Sequence, residues 1–178
     1  RGLGDVYKRQ IDINHSKRPD YIIANSHFVK NWIKKTYNIE STVIYPPVDT
    51  NLFKLVKEKK DYFITTARLE PYKRVDLLVK AFNHSKETLY IVGDGSMKRD
   101  LYELSKNLNS KINFVGILSN EEVIKRLSKH KFYIHTSLYE GNPKTILEAM
   151  SVGCVVVVPN NRNRLEIVEN NFNGIVYD

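Results

Sequence analysis

His135-Thr-Ser-Leu-Tyr-Glu140-Gly-Asn-Pro-Lys-Thr-Ile-Leu-Glu148-Ala-Met-Ser-Val-Gly153 reads as a loop that becomes a helix. Asn142 is the expected N-cap, because its side-chain oxygen can accept from an orphan backbone N–H. Pro143 fits the first helical position, where its missing N–H costs nothing, and Gly153 fits the left-handed stop at the other end. Apolar runs flank the stretch, Lys131-Phe-Tyr-Ile134 before it and Val155-Val-Val-Val158 after it, so the unit is strand, loop, helix, strand. Glu140 falls in the loop. Glu148 falls inside the helix, about 7.5 Å along the axis from Pro143 at ~1.5 Å per residue. A helix start beyond the end of a buried strand is an anion site. With a carboxylate on either side, it calls for a ligand that carries both phosphate and hydroxyls.

The same alternation extends upstream to Asp61. Strands are predicted at Tyr62–Thr66, Thr88–Val92, Ile112–Val115, Phe132–His135, Val155–Val158 and Gly174–Tyr177. Helices are predicted at Val75–Asn83, Lys98–Leu108, Glu121–Lys129 (with Asn120 as cap) and Arg164–Asn170. Strands alternating with helices predict an α/β fold, a doubly wound parallel sheet of Rossmann-like type. Ahead of it, Pro19–Ser26 reads as a short buried strand ending in a capping serine. A helix comes next with Phe28, Val29, Trp32, Ile33 and Tyr37 on one face, read as core packing, and then a strand over Ser41–Tyr45. Pro46-Pro47 stops regular pairing, and the lysine-rich residues 46–60 read as an interdomain linker. Residues 1–10 do not fit the pattern of the rest of the chain and are read as a non-native leader. The expected organisation is leader 1–10, a first segment 11–45, linker 46–60 and a domain over 61–178. That domain closes on a strand and is expected to be short of its last helices.

The chain has 178 residues, 42% hydrophobic and 27% charged, which is ordinary globular composition with enough length for a core. No apolar run approaches the ~18 residues of a membrane helix. The lone Cys154 reads as a core thiol, in keeping with a reducing compartment. The net charge is +8, of which residues 1–60 carry +6 and residues 61–178 carry +2. The basic front end reads first as a solvated surface; peripheral contact with an anionic membrane face is its functional alternative. Nucleic acid is not expected as a partner, because the aromatics form no platform with the basic residues.

In a doubly wound sheet, ligands bind beyond the C-terminal ends of the strands. The first such loop offers Arg68 and Lys73, a bidentate fork and a point charge suited to a diphosphate; two solvated surface cations are the plain alternative. Gly93-Asp-Gly95 lacks the third glycine of a dinucleotide site, since position 98 is Lys98, and reads as a tight turn that also allows backbone approach to a ligand. Five scattered histidines and one cysteine give no metal-ligand spacing, so no metal and no cofactor are expected. His135 reads as a satisfied core or loop histidine, and Ser137 lacks the glycine-flanked context of a nucleophile.

In combination, Arg68 with Lys73, Val92-Gly-Asp-Gly95, Phe114-Val-Gly116, Glu140-Gly followed by Leu147-Glu-Ala-Met150, and Glu166-Ile-Val-Glu-Asn-Asn-Phe-Asn-Gly174 resemble the nucleotide-sugar glycosyltransferases of family 4, or group 1, which have the GT-B fold. The resemblance covers roughly residues 18–178 and implies that the chain is the C-terminal, donor-binding half of a retaining, metal-independent glycosyltransferase. Residues 11–45 would then be the tail of an N-terminal acceptor-side domain. By that resemblance Arg68 and Lys73 hold the donor diphosphate and stabilise the leaving nucleotide. Glu140 faces the donor sugar, Glu148 binds the ribose hydroxyls, and the backbone around Gly116 and Leu118 meets the base. Gly93, Gly141, Asn142, Pro143, Lys144 and Thr145 complete the donor site. The donor would be a nucleoside-diphosphate sugar, and a glycan or lipid-linked acceptor would enter through the other domain. Polysaccharide biosynthesis, in the cytoplasm or peripherally at the cytoplasmic membrane face, is the implied setting. A fragment without the acceptor half is expected to be inactive. A non-catalytic nucleotide- or sugar-phosphate-binding module of the same fold is the alternative. The chain departs from the family in having Asn142-Pro143-Lys144 where an aromatic-glycine-aliphatic run is usual. Lys144 is read either as a third positive contact near the diphosphate or an acidic sugar, or as a solvated lysine.

Overall fold

The computed structural model describes residues 10–106 and 108–178. Residues 1–9, most of the expected leader, lie outside them. The chain divides into two compact units, Arg1–Pro46 and Pro47–Asp178.

In the first unit, β1 (Ile23–Ala24) pairs in parallel with β2 (Thr42–Val43) beside α1 (His27–Tyr37). Ser26 caps α1 by accepting from the Val29 N–H at 3.1 Å, and Asn38 ends it in the left-handed conformation. The buried strand expected over 19–26 shortens to two paired residues, and Tyr21 is 91% exposed. On the apolar face of α1 only Ile33 is buried; Trp32 is half exposed. A two-stranded pair of two residues each offers little surface to cover such a face.

The second unit holds one six-stranded parallel sheet in the order β5-β4-β3-β6-β7-β8. Its strands are β3 (Lys60–Thr66), β4 (Thr88–Val92), β5 (Lys111–Gly116), β6 (His130–Ile134), β7 (Val155–Pro159) and β8 (Gly174–Tyr177). The helices are α2 (Val75–Ala81), α3 (Lys98–Lys106), α4 (Asn120–Leu127) and α5 (Lys144–Ser151). Successive strand residues point to opposite faces and feed two cores. Val92 and Tyr133 join Ile64, Leu127, Ile146 and Val156 on the face covered by α4 and α5. Ile91 and Ile134 join Leu69, Leu78, Leu89 and Leu101 on the face covered by α2 and α3. This is the doubly wound α/β fold that the alternation predicts. The winding runs outward from β3 in one direction and from β6 in the other, so the topological switch point lies between these two adjacent strands.

Several local elements differ from the sequence expectation. The helix expected over Arg164–Asn170 is a series of turns: the Asn173 side chain accepts from the Glu169 N–H in place of a helical carbonyl, the Asn170 side chain accepts from the Val176 N–H of β8, and Asn171 is left-handed. The helix expected from Glu121 starts at Asn120, and its cap is Ser119, which forms a reciprocal capping box with Glu122. The helix after Glu140 starts at Lys144 with Pro143 as its cap residue, so Asn142 is not the N-cap. The strand at 41–45 pairs only over Thr42–Val43. The segment read as a linker lies on the second unit from Pro47 onward: Phe53 enters the core, Ser151 donates to its carbonyl at 2.7 Å, and the Val56 N–H donates to Val152 at 3.2 Å. Among the described residues no helix is long and apolar enough to cross a membrane.

Candidate functional site

A cleft of about 200 Å³ opens at the switch point, beyond the C-terminal ends of β3 and β6. Three pieces of chain build it: the loop 67–74 after β3, the loop 135–143 after β6, and the start of α5.

The first loop is held by its neighbour. The Leu69 N–H donates to the Asp94 carbonyl and the Met97 N–H to the Leu69 carbonyl, both at 2.8 Å, while Leu69 itself is buried. The two backbones lie so close that a Cβ on Gly93 would sit 1.9 Å from the Ala67 oxygen, and one on Gly95 would sit 2.6 Å from the Leu69 oxygen. Gly93 also has φ +133°, a conformation side chains rarely adopt. The Gly-Asp-Gly turn therefore shapes the loop that carries Arg68 and Lys73. Arg68 is exposed and donates to the Tyr72 hydroxyl at 3.1 Å.

The two loops are stitched together. The Thr136 hydroxyl donates to the Lys73 carbonyl at 2.7 Å, and the Leu138 N–H donates to the Tyr72 carbonyl at 2.8 Å. Between them the Lys73 ammonium donates to the Glu140 carboxylate, with both side chains four-fifths buried or more. His135, just past β6, sets its Nε2 3.8 Å from the same carboxylate. Burial alone would raise the Glu140 carboxyl, but the facing His135 imidazole, Lys73 ammonium and Ser137 hydroxyl outweigh it and hold it down at about 2. Burial lowers His135 from its ordinary value, so the ring is neutral near pH 7.

Behind Glu140 stands Arg164, with no exposed surface. Its guanidinium donates to the Ser137 carbonyl and, at 2.6 Å, to the Asn163 side-chain oxygen; Asn163 in turn donates to the Glu140 carbonyl. Tyr177 of the last strand donates to the His135 carbonyl at 3.2 Å. Beneath the lining residue Thr66 lies the core residue Tyr133, fully buried, whose hydroxyl is 3.1 Å from that of Thr66; burial pushes it up to about 12, so it stays protonated.

The sequence-derived residues Arg68, Lys73, Glu140, Asn142, Pro143, Lys144 and Thr145 all line this one cleft. Gly141 sits half-buried within the same loop. Glu148 lies one turn into α5, with its carboxylate 3.3 Å from the Lys144 ammonium. Lys144 thus meets Glu148 here, although it also borders the cleft. Gly93, Gly116, Leu118 and Glu148 are outside the lining: Gly93 packs behind Ala67, the Gly116 carbonyl accepts from the Gly93 N–H at 2.8 Å, Leu118 packs on the core, and Glu148 adjoins the cleft through Lys144. His135, Asn163 and Arg164 are the members that sequence reasoning missed. The place of His135 at the C-terminal end of a strand was the available signal; nothing local marked Arg164.

No side chain caps α5, and its first turn holds no acid, so its leading N–H groups face the cleft without side-chain competition. Two buried atoms at the cleft, the Asn142 Oδ1 and the His135 Nδ1, have no hydrogen-bond partner among the described residues. The site thus combines cations, free amides, a held carboxylate and unfilled acceptors, a combination suited to a ligand with phosphate at one end and hydroxyls at the other. Among the described residues no group of three or more His, Cys, Asp or Glu gathers to hold a metal.

The family model described as Glycosyl transferases group 1 matches residues 48–178. The O-antigen chain mannosyltransferase RfbU of Salmonella typhimurium is 29% identical over 161 residues, covering 86% of this chain and 46% of that protein. The alpha-1,3/1,6-mannosyltransferase ALG2 of Saccharomyces cerevisiae is 27% identical, covering 94% and 44%. Among solved structures, Anabaena HepE in complex with UDP and glucose superposes with a TM-score of 0.82 at 22% identity, over 94% of this chain and 52% of that one. The lipopolysaccharide outer core galactosyltransferase WaaB superposes at 0.72 with 26% identity, over 93% and 52%. The chain therefore spans about half the length of the relatives it matches.

Proposed function

Since the chain belongs to the group 1 glycosyl transferases, we propose that it is the donor-binding half of a retaining enzyme that transfers a sugar from a nucleoside diphosphate to a glycan or lipid-linked acceptor. The observation that carries this reading is the Lys73–Glu140 pair at the switch point, flanked by Arg68 and the uncapped start of α5. The donor diphosphate lies against Arg68, Lys73 and the first amides of α5, where fixed positive charge favours the anion. Glu148 receives the ribose hydroxyls. Glu140 faces the sugar. Because its carboxyl is held at about 2, Glu140 is ionised at neutral pH. It accepts hydrogen bonds from sugar hydroxyls and stabilises positive charge at the anomeric carbon, and it cannot act as the acid for the leaving group.

In the transfer, the bond from the anomeric carbon to the phosphate oxygen breaks, and its electron pair leaves with the diphosphate. Arg68 and Lys73 offset that charge. The acceptor hydroxyl bonds to the anomeric carbon on the same face, and its proton passes to the departing phosphate oxygen. The buried acceptors Asn142 Oδ1 and His135 Nδ1 support a hydroxyl-rich ligand, and the UDP and glucose held by HepE support a uridine donor.

Titration of this chain with UDP, GDP and ADP tests the reading. UDP is expected to bind, and Arg68→Ala or Lys73→Ala to weaken it about 10-fold or more. No binding of any of the three would overturn the assignment.

A further inference from the structure

A larger cavity, of about 430 Å³, lies between α4 and the sheet, apart from the cleft. Lys60 and His130, which line it, open β3 and β6. Those two residues are therefore at the other end of the strands from Arg68 and Glu140, about 20 Å away for a seven-residue strand at ~3.3 Å per residue, while Leu118 and Glu122 line the margin of the cavity beyond the end of β5.

Four cations surround this cavity: Lys60, Lys125, Arg126 and Lys129. None forms an ion pair with a carboxylate among the described residues. The one acid in the lining, Glu122, accepts from the Ser119 N–H at 2.8 Å in the capping box at the start of α4; its carboxylate also attracts Arg126 and Lys125, but one negative charge faces four positive ones. Gathering like charges around a concavity costs repulsion unless an anion enters it.

The inner wall is aromatic. Tyr62, Tyr90 and His130 form a mutually packed trio, with ring centroids between 4.7 and 5.9 Å apart. Arg126 lies over the Tyr90 ring and Lys60 over the Tyr62 ring, at 5.8 and 5.7 Å from the centroids. His130 is 3% exposed, and its Nδ1 lies 2.6 Å from the Arg126 carbonyl, which can only accept. The proton is therefore on Nδ1, and burial keeps the ring neutral. Its Nε2 is then a buried acceptor, and it has no partner among the described residues. The wall needs a hydrogen-bond donor while the rim needs an anion.

We propose that this cavity is a second ligand site, separate from the catalytic cleft, for a small hydroxylated anion: a sugar that carries a phosphate or a carboxylate. Its volume suits one or two sugar rings. The ligand is either a free sugar phosphate or the acidic residue of a glycan chain. The site does not depend on the donor reading of the cleft.

The test is an NMR titration of this chain with the cleft saturated by UDP. The probes are glucose 1-phosphate, a glucuronate-ended disaccharide, inorganic phosphate and glucose. At least one of the first two is expected to bind at least 10-fold more tightly than phosphate or glucose and to shift the His130 ring resonances. Whichever binds more tightly identifies the source. The exposed double change Lys125→Glu/Lys129→Glu should weaken that binding at least 10-fold and leave UDP affinity unchanged. His130→Phe should lower the preference for the sugar anion over phosphate. The proposal fails if phosphate binds as tightly as both sugar anions, if neither probe binds once UDP is present, or if the charge-reversed chain binds within two-fold of the original. If UDP itself does not bind, the titration proceeds without it; a response at His130 that the double change abolishes then upholds this site while the donor reading falls.

Discussion

The guanidinium of Arg164, entirely buried, donates to the carbonyl of Ser137, 27 residues earlier in the chain. Through that bond and the neighbouring Asn163, the turns that follow β7 hold the loop that carries Glu140. A buried cation is tolerated where hydrogen bonds and an opposite charge compensate it: both Nη atoms of Arg164 are paired, its buried Nε has no partner among the described residues, and Glu140 is the carboxylate whose field supports it. Replacing Arg164 by Met should leave the Ser137 carbonyl unpaired in a dry site and lower stability by about 2–4 kcal/mol. Lysine, a point charge, should not restore it. Denaturant midpoints of the three chains measure this, and a change below about 0.5 kcal/mol for Arg164→Met would show that the loop is held by other means.

Glu140→Gln keeps the shape of the side chain and removes its charge. In the complete protein, donor affinity should stay within about three-fold while turnover falls about 100-fold or more, the usual scale for losing one electrostatic stabiliser of the transition state. Normal turnover would assign the carboxylate to structure alone and favour a non-catalytic binding module.

The pH dependence arises from the same carboxylate. Its folded value, about 2, lies below the ordinary 4.5, so its stabilising contribution is fully present above about pH 4.5 and is lost as pH falls toward 2. At about 1.4 kcal/mol per unit this amounts to about 3 kcal/mol. His135 acts in the same direction at higher pH: its folded value is lowered, so the unfolded chain takes up a proton first and stability starts to fall below about pH 6.5. Thermal midpoints from pH 7 to 3 should decline in both windows, and Glu140→Gln should flatten the lower one. An unchanged lower slope in that variant would mean that other carboxyls carry the acid sensitivity.

Gly93→Ala should be costly although the substitution adds one methyl group. The new Cβ would fall 1.9 Å from the Ala67 oxygen at φ +133°, so the loop bearing Arg68 must move. A loss of more than about 2 kcal/mol is expected, together with weaker UDP binding. A chain that unfolds at the wild-type midpoint would contradict the close approach of the two loops.

The sequence by itself determined the architecture. The short apolar runs alternating with helical patterns between Tyr62 and Tyr177 specify parallel strands with helices on both faces, because a strand apolar on both sides must be covered on each. It also placed Arg68, Lys73 and Glu140 after strands, where a doubly wound sheet binds ligands. Side-chain hydrogen bonds escaped it: a run of asparagines turned an expected helix into turns, and Ser119 took the cap expected of Asn120. Only the tertiary structure decided which residues meet. Strand order puts β3 beside β6 and so brings Lys73 to Glu140 across 67 residues, and burial then makes His135 a neutral partner of that carboxylate and Arg164 its support. Burial and long-range pairing are properties of the packed sheet, and no local window of residues contains them.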